Sequence, residues 1–314
     1  MQGIHIFFAT DGSASARFAQ AQILALPWRP PVHVTVMTAL GVPDLPFKSL
    51  APAARRVFED AMNELRREIE AHAQDVLAKA RAALEGQVAS VGTRMHEGPA
   101  GSTIVRMAKA CRVDLVAVGS RGLGAYKGFL LGSVSDFVAS YARSPVLLAK
   151  TPPRGKRRYL AALDDSAHAA AVVRWLGGLD LSGGDWIHLL KIFRSRKDFP
   201  MPDEDEDVTD GGLAAGKFAA WSGSREVLEA LCGERLESTG ARVSVEVRFG
   251  QAATEILAAV RRFDPDLLIL GAKGLTSPPH WPLGSVAQVL LDNAPCSMLV
   301  VRPDGRPPSQ SSFR

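Results

Sequence analysis

A glycine pattern that occurs twice in the chain has the make-up of a phosphate-binding turn. The two copies have the same gaps and lie 152 residues apart: Gly119-x2-Gly122-x9-Gly132-Ser133 and Gly271-x2-Gly274-x9-Gly284-Ser285. Each copy follows a short apolar segment and precedes a segment of helical character. Glycines at such a position let backbone N–H groups approach phosphate closely, and the start of a helix favours an anion. The spacing therefore predicts a phosphate-binding turn in each half, with the Ser133 hydroxyl as a further donor.

An aspartate, Asp11, ends the first apolar run and is predicted to face the same crevice. Open α/β sheets bind ligands at the carboxyl ends of their strands, so this carboxylate is placed to accept hydrogen bonds from a ribose or a base. A second interpretation stays open, in which Asp11 and Ser13 cap the helix that follows. Arg121 and Lys127 likewise either neutralise phosphate charge or are solvated side chains.

Alternating strands and helices are predicted to position these residues in the first half. The predicted strands are Ile4–Ala9, Val32–Met37, Val88–Met95, Leu115–Val118 and Val146–Ala149. The predicted helices are Ala14–Leu26, Arg55–Glu85, Ser102–Cys111 and Val134–Tyr141. The fourth strand is apolar at successive positions, which is typical of a parallel strand covered on both faces. The pattern predicts a doubly wound α/β domain with a five-stranded parallel sheet.

The second half repeats this plan after a basic, proline-containing join. Its predicted strands are Tyr159–Leu163, Trp186–Phe193, Arg242–Val247, Leu267–Leu270 and Met298–Val301, and its predicted helices are Val172–Leu176, Ser222–Ser238, Thr254–Arg262 and Val286–Leu291. The segment Arg194–Gly212, which is charged and contains two prolines and the acidic run 203–207, breaks the symmetry and is predicted to be a flexible loop. We therefore expect two domains of one kind, residues 1–152 and 153–304, followed by a flexible tail at 305–314.

Composition argues against several classes of protein. The formal net charge is +4, and the basic residues are dispersed along predicted helices, which favours solvated faces over a nucleic-acid surface. The cysteines, Cys111, Cys232 and Cys296, lack the spacing of a zinc site and their odd number argues against a disulfide scaffold. The sequence shows neither a run of about 18 apolar residues nor a signal-like segment. A cytoplasmic protein without membrane or nucleic-acid partners is expected.

Both halves resemble the universal stress protein family. Nucleotide-binding members of that family carry the pattern Gly-x2-Gly-x9-Gly-Ser/Thr together with an aspartate at the end of the first strand. Three further segments fit as well: Phe-Ala-Thr-Asp-Gly-Ser at 8–13, Ala-Val-Gly-Ser-Arg-Gly at 117–122 and Ala-Pro-Cys-Ser-Met-Leu-Val-Val at 294–301. The resemblance covers nearly the whole chain, excluding residues 194–212 and the tail. Two motifs in register make it specific.

This resemblance implies two tandem Rossmann-like domains of the adenine nucleotide α-hydrolase type. Each would bind an adenine nucleotide, usually ATP and with or without Mg, at the carboxyl edge of its sheet. Carried over by position, the first site would use Asp11 toward the nucleoside and would hold the phosphates and ribose with Gly119, Gly122, Gly132 and Ser133. The second site would use Asp164, Gly271, Gly274, Gly284 and Ser285.

The resemblance also implies how the two domains associate. Val146–Ala149 and Met298–Val301, the last strand of each half, would pair across an internal pseudo-twofold axis. One chain would then resemble a dimer of single-domain relatives, and a homodimer of whole chains stays open.

The function expected from the resemblance is a nucleotide-dependent regulatory module of the stress response. Slow ATP hydrolysis is compatible with it, although the sequence offers no obvious base to activate water. Two alternatives stay open: an enzyme that hydrolyses ATP or transfers adenylate, and a scaffold that has lost nucleotide binding. The first site is the favoured one, because the second copy has Asp165 where the first has Gly12 and its spacer contains three prolines.

Overall fold

The computed structural model describes residues 3–41, 52–123, 131–194, 240–275, 277–278 and 280–303. Three predicted segments lie outside these residues: the helix at 222–238, the acidic run at 203–207 and the tail at 305–314. The described residues form two lobes. The first lobe runs from residue 4 to 149 and the second from residue 158 to 301.

The first lobe alternates strands with helices, as predicted. Its elements are β1 (Ile4–Ala9), α1 (Ala14–Ala25), β2 (Val32–Leu40), α2 (Pro52–Leu84), β3 (Ser90–Glu97), α3 (Ala100–Ala110), β4 (Leu115–Gly119), α4 (Ser133–Tyr141) and β5 (Val146–Ala149). The side chains of Leu115, Val116 and Ala117 in β4 are fully buried. Consecutive burial of this kind is expected where helices cover both faces of a sheet.

The second lobe repeats this order over its described residues. Its elements are β6 (Arg158–Leu163), α5 (Ala167–Leu176), β7 (Trp186–Phe193), β8 (Arg242–Phe249), α6 (Ala252–Phe263), β9 (Leu267–Gly271), α7 (Ser285–Asn293) and β10 (Ser297–Val301). Both lobes have the doubly wound α/β plan predicted from the sequence.

The strands of both lobes form one continuous sheet, in the order β3-β2-β1-β4-β5-β10-β9-β6-β7-β8. Neighbouring strands are parallel within each lobe. At the junction, β5 and β10 pair antiparallel, with Leu147 opposite Leu299. The predicted pairing of the two last strands is therefore confirmed. Because strand direction reverses at this junction, the carboxyl ends of the two sets of strands lie at opposite edges of the sheet.

Two apolar layers cover the faces of the sheet and extend through both lobes. On one face, Ile6 and Phe8 of β1 pack in a layer with residues of α1, α2 and α5. On the other face, Phe7 and Ala9 pack in a layer with residues of α3, α4, α6 and α7. The alternation of β1 side chains between the two layers follows from the period of two in a strand. Among the described helices, even the 33-residue α2 is not apolar enough to span a bilayer.

The residues after α1 contact the second lobe through hydrogen bonds and an aromatic pair. Trp28 forms an isolated antiparallel bridge with Leu179, and the backbone N–H of Asp180 donates to the carbonyl of Pro27 at 2.7 Å. The Trp28 ring also meets the edge of Trp175, with centroids 5.7 Å apart. These contacts add to the β5–β10 pairing, so the lobes share an apolar junction as well as a sheet.

Element boundaries differ from the sequence predictions by a few residues. In the first lobe, β2 ends at Leu40 rather than Met37, and β3 begins at Ser90 rather than Val88. A turn occupies the preceding residues, where the N–H of Gln87 donates to the carbonyl of Leu84 at 3.1 Å. In the second lobe, the helix to which Val172–Leu176 was assigned begins at Ala167, where Ser166 caps it. Alanine is the strongest helix former, so the stretch Ala167–Ala171 joins the helix readily.

Candidate functional site

A cavity of about 450 Å³ opens at the carboxyl edge of the first lobe. It lies where β1 is flanked by β2 and β4, close to the start of α4. The predicted residues Asp11, Gly119, Gly122, Gly132 and Ser133 all line this cavity. The structure therefore brings the whole first set of predicted residues to one place.

The cavity has an apolar wall and a polar rim. Met37 and Ala39 of β2, Val118 of β4 and Ile104 of α3 form much of the apolar wall. The rim consists of the loop after β4 and the first turn of α4. Ligand pockets are commonly of this kind, with apolar walls and a few polar groups that fix orientation, and volumes of several hundred Å³ are typical. An apolar slot beside a group of amides suits a flat base joined to a phosphate chain.

Asp11 braces the loop that follows β4. Its Oδ2 accepts a hydrogen bond from the N–H of Leu123 at 3.0 Å, while its Oδ1 accepts one from the N–H of Ser13 at 3.0 Å. Each carboxylate oxygen has a second lone pair, so Asp11 keeps capacity for a ligand while it holds two segments of backbone together. Ser13 caps α1 by accepting a hydrogen bond from the N–H of Ala16 at 3.2 Å. The two interpretations of this Asp-Gly-Ser turn are therefore compatible.

Gly12 has a conformation that favours glycine within that turn. Its φ is +76°, and a Cβ built on it would lie 2.9 Å from a methyl group of Val76 in α2. Asp165, the corresponding residue of the second lobe, does not have a positive φ. The two turns therefore differ in backbone conformation at this residue.

Gly119 lets α1 approach the end of β4. A Cβ on Gly119 would lie 2.6 Å from the backbone N of Ala16 and 2.6 Å from the backbone C of Ser15. The Ser15 hydroxyl donates to the carbonyl of Arg121 and accepts from the N–H of Arg121, so it fixes the loop in both directions. The first glycine of the motif thus serves packing, and it brings the rim close to α1.

The start of α4 presents amide groups to the cavity. The N–H of Gly132 donates to the carbonyl of Ser120 at 2.8 Å, so this amide is used within the protein. The next three residues, Ser133, Val134 and Ser135, line the cavity and are the first three of the helix, where N–H groups lack intrahelical acceptors. These three amides, rather than that of Gly132, are the donors available to an anion. They also lie at the positive end of the helix dipole.

The second lobe reproduces the backbone hydrogen bonds of the first. Asp164 accepts from the N–H of Leu275 at 3.0 Å and from the N–H of Ser166 at 3.1 Å. The N–H of Gly284 donates to the carbonyl of Ala272 at 2.8 Å, and α7 begins at Ser285. Asp164 also lies beside the second glycine of the motif, because a Cβ on Gly274 would approach its Oδ2 to 2.7 Å. The structure therefore assembles the second set of predicted residues in the same manner.

Two side chains make the second turn chemically different. Asp165 forms an ion pair with Lys191 of β7, whose side chain is 6% exposed. His168 stands where the first lobe has Ser15, and a Cβ on Gly271 would lie 2.6 Å from the Cβ of His168. The ion pair places two opposite charges beside the turn, and an imidazole stands in place of the Ser15 hydroxyl that binds the backbone of the first loop. The two turns therefore share the backbone hydrogen bonds of Asp11 and Asp164 but differ in side-chain chemistry and in backbone conformation at Asp165.

The residues of β2 and α3 that form the apolar wall were not predicted from the sequence. A signal for them exists, because the segment Gly98-Pro99-Ala100 before α3 has a counterpart in Gly250-Gln251-Ala252 before α6. Ala100 and Ile104 of this region line the cavity. Arg121 lines the cavity too, and Lys127 lies outside the described residues. Among the described residues, no group of three or more His, Cys, Asp or Glu side chains is placed to hold a metal ion.

Comparison with known proteins matches both lobes to one family. The model of the universal stress protein family matches residues 5–150 and again residues 156–302. The universal stress protein Rv2623 of Mycobacterium tuberculosis is 41% identical over 81 residues, which are 25% of this chain and 26% of that protein. The universal stress protein YxiE of Bacillus subtilis is 35% identical over 94 residues, which are 29% of this chain and 62% of that protein. The aligned stretches thus span less than two-thirds of these relatives.

Solved structures support the fold. A universal stress protein from Archaeoglobus fulgidus superposes on 95% of this chain and 96% of its own length, with a TM-score of 0.60 and 20% sequence identity. A protein described as a putative universal stress protein from Pseudomonas aeruginosa superposes on 96% of this chain with a TM-score of 0.54 and 18% identity. At these identities the likeness bears on the fold alone.

Proposed function

The chain belongs to the universal stress protein family, and we propose that its first lobe binds an adenine nucleotide, ATP, in the cavity beside Asp11. The observation that carries the proposal is the meeting, in a space of about 450 Å³, of an apolar wall with the first turn of α4, whose first three amides have no intrahelical acceptor. The adenine would lie against Met37 and Ala39, and the phosphates would face the start of α4. Mg, when bound, would neutralise phosphate charge.

The polar groups of the rim would each have a separate task. The amides of Ser133, Val134 and Ser135 would donate to phosphate oxygens at the positive end of the α4 dipole. Asp11 would accept from the ribose or base with its remaining lone pairs. Arg121 lines the same cavity and would add positive charge near the phosphates. The second lobe would bind ATP more weakly, because the spacer of its glycine motif contains three prolines, which remove backbone donors.

Within the cell, the protein would act in the cytoplasm as a regulatory module. A nucleotide can shift a protein between conformations when it binds one of them better. Binding at the α4 turn would stabilise the arrangement of the loop after β4, and a partner in the stress response would recognise the loaded form. The proposal assigns no catalytic base, so hydrolysis would be slow.

The proposal is tested first by extracting nucleotide from the purified protein. Mass spectrometry is expected to find ATP, and a phosphate-release assay is expected to find negligible turnover. Fast phosphate release would instead favour an ATP-hydrolysing enzyme. A protein that holds no nucleotide and ignores added ATP would favour a scaffold and would contradict the proposal.

A substitution at the phosphate turn tests where the nucleotide binds. A Cβ on Gly132 would already lie 3.3 Å from the carbonyl of Ser120 and 3.4 Å from the Ser135 hydroxyl. The branched side chain of Gly132→Val would therefore displace the turn, and calorimetric titration is expected to show ATP affinity lowered by about tenfold or more. Gly284→Val, the same change in the second lobe, is the matched control and should leave first-site binding intact. Unchanged affinity in a folded Gly132→Val protein would contradict the placement.

A further inference from the structure

Two cations cross the junction between the lobes in a reciprocal manner. Lys150 follows β5 and Arg302 follows β10, so they hold equivalent positions in the two halves, 152 residues apart. Because β5 and β10 are antiparallel neighbours, the residue after each strand enters the opposite lobe. Each cation therefore contacts a part of the protein distant from it in sequence.

Both cations bind the carboxyl end of a helix. The Nη2 of Arg302 donates to the carbonyls of Ala139 and Ser140, at 2.6 and 2.9 Å, in the last turn of α4. The Nζ of Lys150 donates to the carbonyls of Leu291 and Ala294, at 2.6 and 2.7 Å, at the end of α7. The last carbonyls of a helix have no intrahelical donor, and a cation there is favoured by the helix dipole.

The two helices held in this way are the ones that begin with the phosphate turns. α4 starts at Ser133 and α7 at Ser285, and each has nine residues. A helix of that length is only about 13 Å long, so a group that fixes its carboxyl end also limits the position of its first turn. The first-turn amides of α4 would thus depend on a residue of the second lobe.

A third contact joins the same helices nearer their amino ends. The Nε2 of Gln288 in α7 donates to the Oδ1 of Asp136 in α4 at 3.0 Å. These two residues are equivalent in the repeat, so the contact lies on the pseudo-twofold axis. It leaves α4 with partners from the second lobe at both ends.

The guanidinium of Arg302 is buried, and removing it from water costs free energy. Burial lowers the pKa of Arg302 to about 10, so the guanidinium stays charged at neutral pH. Its Nη1 is buried without a hydrogen-bond partner among the described residues. An apolar residue would avoid that desolvation, but it would leave the carbonyls of Ala139 and Ser140 without this donor. The hydrogen bonds from the guanidinium to these two carbonyls therefore offset part of the free-energy cost of its burial.

We propose that Arg302 is a cross-lobe positioning residue: from the second lobe it holds α4 in the orientation that presents the first-turn amides to phosphate. Lys150 does the same for α7 from the first lobe. The nucleotide part of this inference rests on the proposed function, whereas the positioning of α4 does not.

The test compares Arg302→Met with Arg29→Met. Arg29 also crosses the junction and donates to backbone carbonyls, those of Leu179 at 3.2 Å and Gly177 at 3.4 Å, but it does not contact α4. Hydrogen exchange of apo protein is expected to be faster across 132–141 in Arg302→Met than in Arg29→Met. Calorimetric titration is expected to show first-site ATP affinity lowered by about 3- to 10-fold in Arg302→Met, and Arg302→Lys should restore most of it.

Each outcome decides between the two claims. Equal exchange of α4 in Arg302→Met and Arg29→Met would overturn the positioning role, and so would wild-type ATP affinity in Arg302→Met. If wild-type protein binds no ATP, the proposed function fails, and the exchange experiment still decides the role of Arg302. If Arg302→Met does not fold, Arg302→Gln, which keeps one donor, takes its place in the same comparison, with intermediate exchange expected and wild-type exchange contradicting the role.

Discussion

Replacing Gly119 with alanine is expected to destabilise the first lobe. The added Cβ would lie 2.6 Å from the backbone of both Ser15 and Ala16, and also 2.6 Å from the Ser15 hydroxyl. Two of these three atoms belong to the backbone of α1 and cannot move without moving the helix. The substitution should therefore push α1 away from the end of β4.

The expected magnitude follows from this crowding. Overpacking a filled core by one methyl group costs about 1–3 kcal/mol, and contact with backbone places Gly119→Ala near the upper end of that range. Replacing glycine also restricts the unfolded chain, which offsets about 0.5–1 kcal/mol. We expect the free energy of unfolding to fall by about 2 kcal/mol.

Gly92→Ala is the matched control for this prediction. Gly92 lies within β3, and the nearest atom to its added Cβ, the Thr35 Oγ1, is 4.0 Å away. This change should leave stability unchanged or raise it by about 0.5 kcal/mol. Urea unfolding followed by circular dichroism measures both variants against the wild type. If Gly119→Ala is as stable as Gly92→Ala, the close approach of α1 is not what requires glycine at the first position of the motif.

Two further predictions concern the pH dependence of stability. Burial raises the pKa of Glu246, but hydrogen bonds from Arg248, His188 and Arg262 outweigh it and lower the pKa to about 2. The free energy that these hydrogen bonds contribute to folding is present above about pH 4.5 and is lost as the pH falls toward 2. On acidification through this range, the free energy of unfolding of Glu246→Gln should therefore fall by about 1–2 kcal/mol less than that of the wild type, after allowance for solvent screening. Burial lowers the pKa of Lys150 to about 8. The unfolded chain then binds more protons between pH 8 and 10, so wild-type stability should rise there by on the order of 2 kcal/mol relative to Lys150→Met. Urea titrations across each pH range measure both effects, and parallel curves for variant and wild type would contradict either one.

Much of the fold was predictable because it follows from local patterns. The apolar run of β4 indicated a strand buried on both faces, and it is buried in that way. The repeated glycine pattern indicated two equivalent turns, and the backbone hydrogen bonds of Asp11 and Asp164 are the same in both. A capping serine before α1 was also predicted, and Ser13 occupies that position. These features depend on residues close together in the chain or on its period.

The candidate site was predictable in part. The sequence analysis placed Gly132 among the groups available to phosphate, but the structure directs its N–H to the carbonyl of Ser120. It placed Gly119 at the ligand cavity, which Gly119 lines, but gave no indication that the approach of α1 also requires a residue without Cβ there. The requirement at Gly119 depends on the distance between segments that are more than 100 residues apart in the chain. The hydrogen bond of Gly132 depends on how the loop after β4 closes. A spacing pattern carries neither quantity.

The sequence by itself determined the duplication, the order of strands and helices and the position of the two turns. Periodicity and glycine spacing are written along the chain, so they can be recognised without coordinates. The tertiary structure alone decided that Met37 and Ile104 wall the cavity and that Arg302 reaches the end of α4. These contacts arise from packing of helices on a shared sheet and from the antiparallel β5–β10 junction, which bring together side chains whose sequence neighbours give no indication of their partners.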